Sequence, residues 1–518
     1  MAFHYVRAQR DQVLLLPVSM ADWLEEGHLA WFVIDVVGQL DTRALHARHR
    51  NDGAGRPAYD PDMMLALLLY AYANGMRSSR RMEAACRTDA AFRVISAGLV
   101  PDHATFARFV VDHEAAMEGL FVSGLRLCAA AGLVDLSTVA IDGTKMGASA
   151  SLRANHSIEW VREAVVALMA ATVASEEAEA ACSAGVDPMS AAGIRGARAR
   201  LARLKAAQAQ IEAEDAAAAE VMAARDEAAT RQAGAGRRLP GRKPTDARAA
   251  LARAEADLAA ARARAEAKAA RRAEREAAAA AAGRRLGGFA PGPDRRVAQA
   301  TQALEAARQA AARANPAPRR RANVTDADSR IMKTRRGFLQ GYNAQVAADA
   351  NQIVVAQMVS QDANDVALLG PMLELLERNL ALGAVAGDIE AVLADAGYWS
   401  DDNARIGVPG SLLIATQKDW KQRKAAREAG TTTGEPPEGA SILEAMEHRL
   451  RTAEGAAAYA KRSSTAEPVF GNHKTNRNAP RFRRRGLAAV QAEWSFMNLG
   501  HNLGKLFEHW TPGLFNPA

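Results

Sequence analysis

Between Glu159 and Arg320 the chain is built almost wholly from Ala, Arg, Glu and Gln, as in ARARLARLKAAQAQIEAEDAAAAEVMAARDEAATRQ and ARAALARAEADLAAARARAEAKAARRAEREAAAAAA. Such a stretch has high helix propensity, mixed charge and almost no aromatic residue with which to build a globular core. It predicts two long helices forming an antiparallel hairpin joined through AGAGRRLPGRKPTD. GRRLGGFAPGPDRR, one further helix and ANPAPRRR then follow, the two named segments being linker-like. Alanine-rich helices bury too little apolar area to stand alone, so these are expected to pair with each other or with a second subunit. The folded core must therefore come from the flanking sequence, in two pieces held apart by an insertion.

A chain of 518 residues has room for roughly three or four units. Its net charge of +7 and pI near 9.4 favour a polyanionic partner, although the excess is thinly spread. Cys86, Cys128 and Cys182 are odd in number and scattered, which excludes a disulfide framework and fits a reducing cytoplasm. MAFHYVRAQRDQ has no apolar signal region, and MMLALLLYAYA falls far short of the ~20 residues that span a bilayer, so no membrane association is expected.

Up to Leu133 the apolar residues recur at helical spacing, in AWFVIDVVGQL and again in MMLALLLYAYANGM, where Asp60 and Pro61 supply an N-cap and a pre-set first turn. SSRRMEAACRTDAAFRVI and ATFARFVVDHEAAMEGLFVSGLRLCAAAG read as two more helices joined by AGLVPDH, with Arg77, Arg80, Arg81, Arg87 and Arg108 around the joint. Helix, turn and a second helix with exposed arginines is a DNA-reading arrangement, and a solvated helix face has the same pattern. After it, LSTVAIDGTKM predicts a strand ending in an acidic turn at Asp142. Beyond the insertion, RGFLQGYNAQVAADANQIVVAQMVS predicts a hairpin turning at Asp349 to Asn351, and DVALLGPMLELLERN a helix. EAVLADAGYWS predicts a strand ending at Asp395, SLLIATQK another strand, Ser441 and Glu444 a capping box, and LAAVQAEWSFMNLGHNLGKL a last helix. The sum is an α/β fold with a mixed sheet.

Asp142 and Asp395 each stand where an apolar strand meets a Gly-containing turn, so both carboxylates can gather at one edge of a sheet. Two carboxylates plus substrate phosphates suffice to hold a hard cation such as Mg2+. The alternative is that both are ordinary turn aspartates. A two-metal site for in-line phosphoryl transfer asks for a third acid. Glu467 is the best candidate, grouped with Tyr459, Arg462 and Lys474; Glu493 is the runner-up. The seven-residue step from Glu467 to Lys474 would share a face of a continuous helix, but Pro468 points to a helix entrance or kink at Glu467. His113 and Glu114 begin a zinc-protease pattern that Met117 breaks.

AIDGTK, LADAGYWS and EPVFGNHK, with RRRGLAAVQAEW and HNLGKL, resemble the three acidic blocks of the DDE transposases of bacterial insertion sequences. LLLPVSMADWLEEGHLAWFV, GRPAYDPDMM and YANGMRSSRRME resemble that family's helical DNA-binding region. The resemblance covers nearly the whole chain outside the insertion. It implies an RNase H-like catalytic sheet with Asp142, Asp395 and Glu467 as a metal-binding triad for Mg2+ or Mn2+, two ions per site. Double-stranded DNA is the implied partner, bound by a homodimer. Tyr459, Arg462, Glu467 and Lys474 resemble the Tyr, Arg, Glu, Lys signature, with four residues rather than three between Arg462 and Glu467. Trp399 stands where some relatives stack an aromatic ring on a flipped end base. Arg77, Arg80, Arg81, Arg477 and Arg481 complete the expected DNA contacts. The expected organisation is a helical DNA-binding domain over 1–133, the catalytic domain in two parts over 134–158 and 321–485, the insertion over 159–320, and a C-terminal helix and tail over 486–518. The competing class is a catalytically inactive DNA-binding or coiled-coil scaffold derived from such an enzyme.

Overall fold

The computed structural model describes residues 19–48, 57–181, 188–234, 247–283, 294–313, 320–417 and 432–511. In chain order these form α1 (Leu29–Gln39), α2 (Arg43–His46), α3 (Pro61–Ala73), α4 (Ser79–Thr88), α5 (Ala90–Ile95), α6 (His103–Asp112), α7 (Met117–Ala130) and β1 (Val139–Gly147). The insertion brings β2 (Asn155–Ser157), α8 (Ile158–Ala181), α9 (Pro188–Gly234), α10 (Ala247–Ala281), α11 (Arg295–Arg313) and β3 (Arg321–Asn323). Then come β4 (Arg330–Thr334), β5 (Gly337–Asp349), β6 (Val354–Ser360), α12 (Leu369–Leu382), β7 (Ala391–Ala394) and β8 (Ser411–Ile414). The chain closes with α13 (Ile442–Arg451), α14 (Ala453–Ala460), α15 (Arg462–Thr465), α16 (Glu467–Gly471) and α17 (Leu487–Phe507).

Contacts divide the chain into two units, Met1–Ala154 with Asp328–Ala518, and Asn155–Ala327. In the first, β5 pairs antiparallel with β1 on one side and with β4 and β6 on the other, while β7 and β8 extend the sheet in parallel beyond β1. Val139 to Ile141, Val392 to Ala394 and Leu412 to Ile414 are all buried, as strands covered on both faces must be. The N-terminal helices share this core: Phe32 of α1 packs on Phe507 and Trp510, and Tyr72 of α3 on Phe496 of α17. The segments expected as a separate helical domain and a separate C-terminal tail are thus one packed body with the sheet.

Local sequence explains most element ends. Asp60 caps α3 by accepting from the Asp62 N–H at 3.1 Å, and Ser441 with Glu444 forms the expected capping box on α13. The stretch expected as one helix from Ser79 breaks because Asp89 turns extended and caps α5 through the Ala91 and Phe92 N–H groups. His113 ends α6, buried with its ring nitrogens 2.8 and 3.2 Å from the carbonyl oxygens of Phe109 and Leu45. β1 departs from expectation more usefully. It does not turn at Asp142 but runs on to Gly147, paired with β5 throughout. Gly143 serves the sheet, since a Cβ there would lie 2.1 Å from Gln345 Nε2. The hairpin β4–β5 was not foreseen.

The second unit contains four helices among the described residues, where two long ones and one shorter one were expected. Val161 and Val165 of α8 bury against Leu204, Ala207 and Ile211 of α9 and Ala322 of β3, which pairs antiparallel with β2. Surface ion pairs such as Arg162 with Glu212 at 2.8 Å add little each. The predicted connection through 235–246 lies outside the described residues, as does Cys182. Among the described residues no helix is long and apolar enough to cross a membrane.

Candidate active site

Ile141 of β1 and Ala394 of β7 are register partners on neighbouring parallel strands. Asp142, within β1, and Asp395, just past the end of β7, are the next residues on each, so the sheet brings the two carboxylates together where the β1–β7 pairing stops. Asp395 begins a tight turn over Ala396–Tyr398, and its Oδ1 accepts from the Gly397 N–H at 2.8 Å. Asp142 accepts from the Gly143 N–H at 2.8 Å and from Arg462 Nη1 at 3.2 Å. A plain turn aspartate looks different in the same fold. Asp349 accepts three backbone N–H groups, from Asp135, Asn351 and Ile353, at 2.8, 3.0 and 2.7 Å.

Arg462, only 4% exposed, ties the first aspartate to the third acid: its guanidinium lies 3.2 Å from Asp142 Oδ2 and 3.7 Å from Glu467 Oε1. Glu467 opens α16 with Pro468 next to it, the helix entrance that the proline predicts. The helix does not continue unbroken to Lys474. Asn472–Asn476 forms a π-helical turn, a distortion frequent at functional sites. That turn aims Lys474 Nζ at β1, where it donates to the Thr144 hydroxyl and comes within 3.5 Å of the Lys145 carbonyl oxygen. Burial pushes the Lys474 ammonium down, and the Asp142 carboxylate partly restores it. Tyr459 on α14 and Trp399 at the end of the Asp395 turn are half-buried against the core.

Burial pushes the Asp142 carboxyl up to about 7; Arg462 opposes the rise, while Asp395 and Glu467 add to it by repulsion. Hard oxygen donors crowding their charges at one sheet edge, with one arginine between them, are what a divalent cation would relieve, and two such carboxylates suffice for it. The chemistry of the two aspartates fits the implied metal, while Asp142, Asp395 and Glu467 do not all bring a ligand atom within 4.8 Å of one another. Glu467 stands further out than the aspartates, its side chain 60% exposed. Among the described residues the one set of three ligating groups within 4.8 Å of one another is His46, Asp60 and Asp62. There Asp60 is occupied in capping α3 and Asp62 pairs with His46, so the set has a structural explanation.

The other expected residues separate. Glu493, the runner-up acid, is buried inside α17's packing, where it holds Arg77 Nη1 at 3.2 Å and accepts from the Arg483 and Arg484 N–H groups. Arg77, expected on DNA, spends its charge there and on the Arg481 carbonyl oxygen. Arg477 is drawn inward onto the Gly500 carbonyl at 2.9 Å, and burial pushes its guanidinium down to about 10. Arg481 donates to the Ala148 carbonyl, Arg484 to the Val110 carbonyl and Glu114, and Arg485 to the Ser149 carbonyl. Several arginines of the basic run thus fasten onto the chain's own carbonyls and Glu114, while Arg481, Arg483 and Arg485 remain exposed, Arg483 being engaged through its backbone N–H. Arg80 and Arg81 do face solvent on α4, whose apolar side buries Met82, Ala85 and Cys86.

Asp365 is a residue that sequence reasoning missed. Its Oδ1 accepts from Asn343 at 2.7 Å and Gln345 at 2.9 Å and pairs with Lys145 at 3.3 Å. A Cβ at Gly397 would meet Asp395 Oδ1 at 2.9 Å and Asp365 Oδ2 at 3.1 Å, so both carboxylates border one spot in the Asp395 turn. Gln345 in turn accepts from the buried Tyr398 hydroxyl. QDANDVALL carries no pattern that marks Asp365; only the alternation of Asn343 and Gln345 on an otherwise buried strand hinted at a polar layer.

A family model described as Transposase DDE domain matches residues 421–507, which include Tyr459, Arg462, Glu467 and Lys474. Another, described as Transposase domain (DUF772), matches residues 18–112, the span of α1 to α6. Asp142 and Asp395 fall outside both matches. No curated protein and no solved structure matches the chain.

Proposed function

We propose that the chain, a DDE-type transposase of an insertion sequence by its two family-model matches, binds the ends of its element, cleaves DNA strands there and joins the 3′ ends to target DNA on an RNase H-like sheet. The observation that carries this reading is that Asp142 and Asp395 directly follow the register partners Ile141 and Ala394 on neighbouring strands, with buried Arg462 linking Asp142 to Glu467. In the first step a water oxygen bonds to phosphorus and the element's 3′ oxygen leaves as a hydroxyl. In the second, that hydroxyl oxygen bonds to a target phosphorus and the target's own 3′ oxygen leaves.

Asp142 and Asp395 would hold the divalent cation, with Glu467 completing the set for a second ion, Mg2+ or Mn2+. Bound there, the cations activate the attacking oxygen and stabilise the leaving one. Arg462 offsets the charge of Asp142 and Glu467 and fixes their spacing. Lys474, against β1, neutralises a phosphate without dictating its orientation. Trp399 and Tyr459 supply aromatic surface beside the aspartates for the terminal nucleotides. Arg80 and Arg81 on α4 give the helical region its contact with duplex DNA, and the Asn155–Ala327 unit joins two copies on two ends. The test is cleavage and joining of the element's own end sequences in Mg2+, with Asp142→Asn, Asp395→Asn, Glu467→Gln and Lys474→Ala alongside the parent chain. Each acid variant should bind end DNA and fail to cut, and Lys474→Ala should lose more cleavage than binding. Undiminished cutting by any acid variant removes that residue from the site.

A further inference from the structure

Arg77 and Arg477 are spent on internal contacts, and besides Arg80 and Arg81 on α4 and the exposed Arg483 the sheet itself offers a cationic surface. β4 and the first half of β5 form a hairpin closed by the two-residue turn Arg335–Arg336, with Thr334 paired to Gly337 and Lys333 to Phe338. Gly337 takes a φ of +115°, which the turn requires and only glycine adopts readily. Lys333, Arg335 and Arg336 are all exposed, and none makes an ion pair or side-chain hydrogen bond to a described residue. Exposed beside them are Phe338 at 67% and Ile331 at 48%. A lysine on an edge strand can serve merely to block edge-to-edge pairing. That role does not account for an aromatic ring left in water on the same face, nor for two more arginines at the tip.

The position of the hairpin follows from register. Asp142 lies opposite Val346 of β5. From there β5 runs past the carboxyl ends of β7 and β8, in the direction the catalytic edge faces, to Gly337. Nine residues of strand span about 30 Å, the length of roughly nine base pairs. We propose that the β4–β5 hairpin is a DNA-contacting arm, its Lys333, Arg335 and Arg336 gripping the backbone of the duplex whose end lies at the aspartates. The inference rests on the transposase reading above and adds a surface to it. Because the three cations reach phosphates and not base edges, the arm holds duplex of any sequence.

The test is binding of fluorescent end duplex to the full chain over a range of salt, comparing the parent with a Lys333→Ala, Arg335→Ala, Arg336→Ala triple variant. A control variant loses the same charge through Arg43→Ala, Arg378→Ala and Arg405→Ala, whose side chains pair with Asp41, Glu118 and Asp402. The hairpin variant should bind roughly tenfold more weakly at low salt, for cognate and unrelated duplex alike, with the salt slope flatter by about 2–3. The control should keep the parent slope. An equal effect of both triples would reduce the arm to overall charge and overturn it, as would a hairpin variant that binds like the parent. If the parent itself fails to bind duplex, the transposase reading fails first, and that outcome is separately visible.

Discussion

Glu467 and Glu493 are the two candidates for the proposed third metal-binding acid, and they differ in energy as well as in position. In Glu493→Gln, one carboxylate oxygen that holds Arg77 or the Arg483 and Arg484 N–H groups becomes an amide, and the Arg77 charge is left buried. The side chains are 5% and 1% exposed, so solvent does little to soften the loss. Removing one partner of a buried ion pair costs about 3–5 kcal/mol. In a unit of this size that lowers Tm by roughly 4–7 °C. Glu467→Gln touches a side chain that is 60% exposed and 3.7 Å from its arginine, which is worth under about 1 kcal/mol. Thermal unfolding and strand cleavage, measured on both variants, should therefore cross over. Glu493→Gln should melt early yet cut at temperatures where it is folded; Glu467→Gln should melt like the parent and not cut. The reasoning is refuted if Glu493→Gln keeps the parent Tm and loses cleavage.

Asp142→Asn tests the electrostatics of the site through stability. A carboxyl raised from 3.8 to about 7 favours the fold fully below pH ~4, and that contribution is lost as pH rises through about 7. At ~1.4 kcal/mol per unit the loss is at most about 4 kcal/mol, and stranding Arg462 without its partner returns part of it. Asp142→Asn should thus be more stable than the parent by about 1–3 kcal/mol in urea at pH 8 and equal to it near pH 4; a variant less stable at pH 8 contradicts the shift. Arg80→Ala with Arg81→Ala should weaken binding to all duplexes and flatten the salt slope by about 0.9 per lost contact, whereas a loss confined to the cognate end would make them base readers. Replacing Glu159 to Arg320 by a short linker should lower the mass seen by light scattering on DNA, and an unchanged mass would leave the insertion without a role in pairing subunits.

Much of the site was legible because its parts are local. A short apolar run ending in an aspartate marks a strand end at Asp395, and a proline after Glu467 marks a helix entrance. The Asp142 turn misled because Gly143 answers to a neighbour 202 residues away, Gln345, that no window of sequence contains. The arginines of the tail misled for the same reason. A run of cations near the end of a chain looks solvated until its partners appear, and for Arg481, Arg484 and Arg485 those are backbone carbonyls on α6 and around the end of β1 together with Glu114. Asp365 was invisible because hydrogen bonds to Asn343 and Gln345 across a sheet leave no periodicity in either segment. The helical insertion was the easiest part to see, since composition alone sets it, and the breaks within it the hardest.

The central claim is that Asp142 and Asp395 ligate the cation that cleavage requires. A change of metal preference tests this most directly. Cysteine offers a soft thiolate where the parent has a hard carboxylate, so Asp142→Cys and Asp395→Cys should lose cleavage in Mg2+ and regain part of it in Mn2+ or Cd2+. Parent-like cutting by either variant in Mg2+, or no recovery in the softer ions by a variant that still folds and binds DNA, would contradict the account.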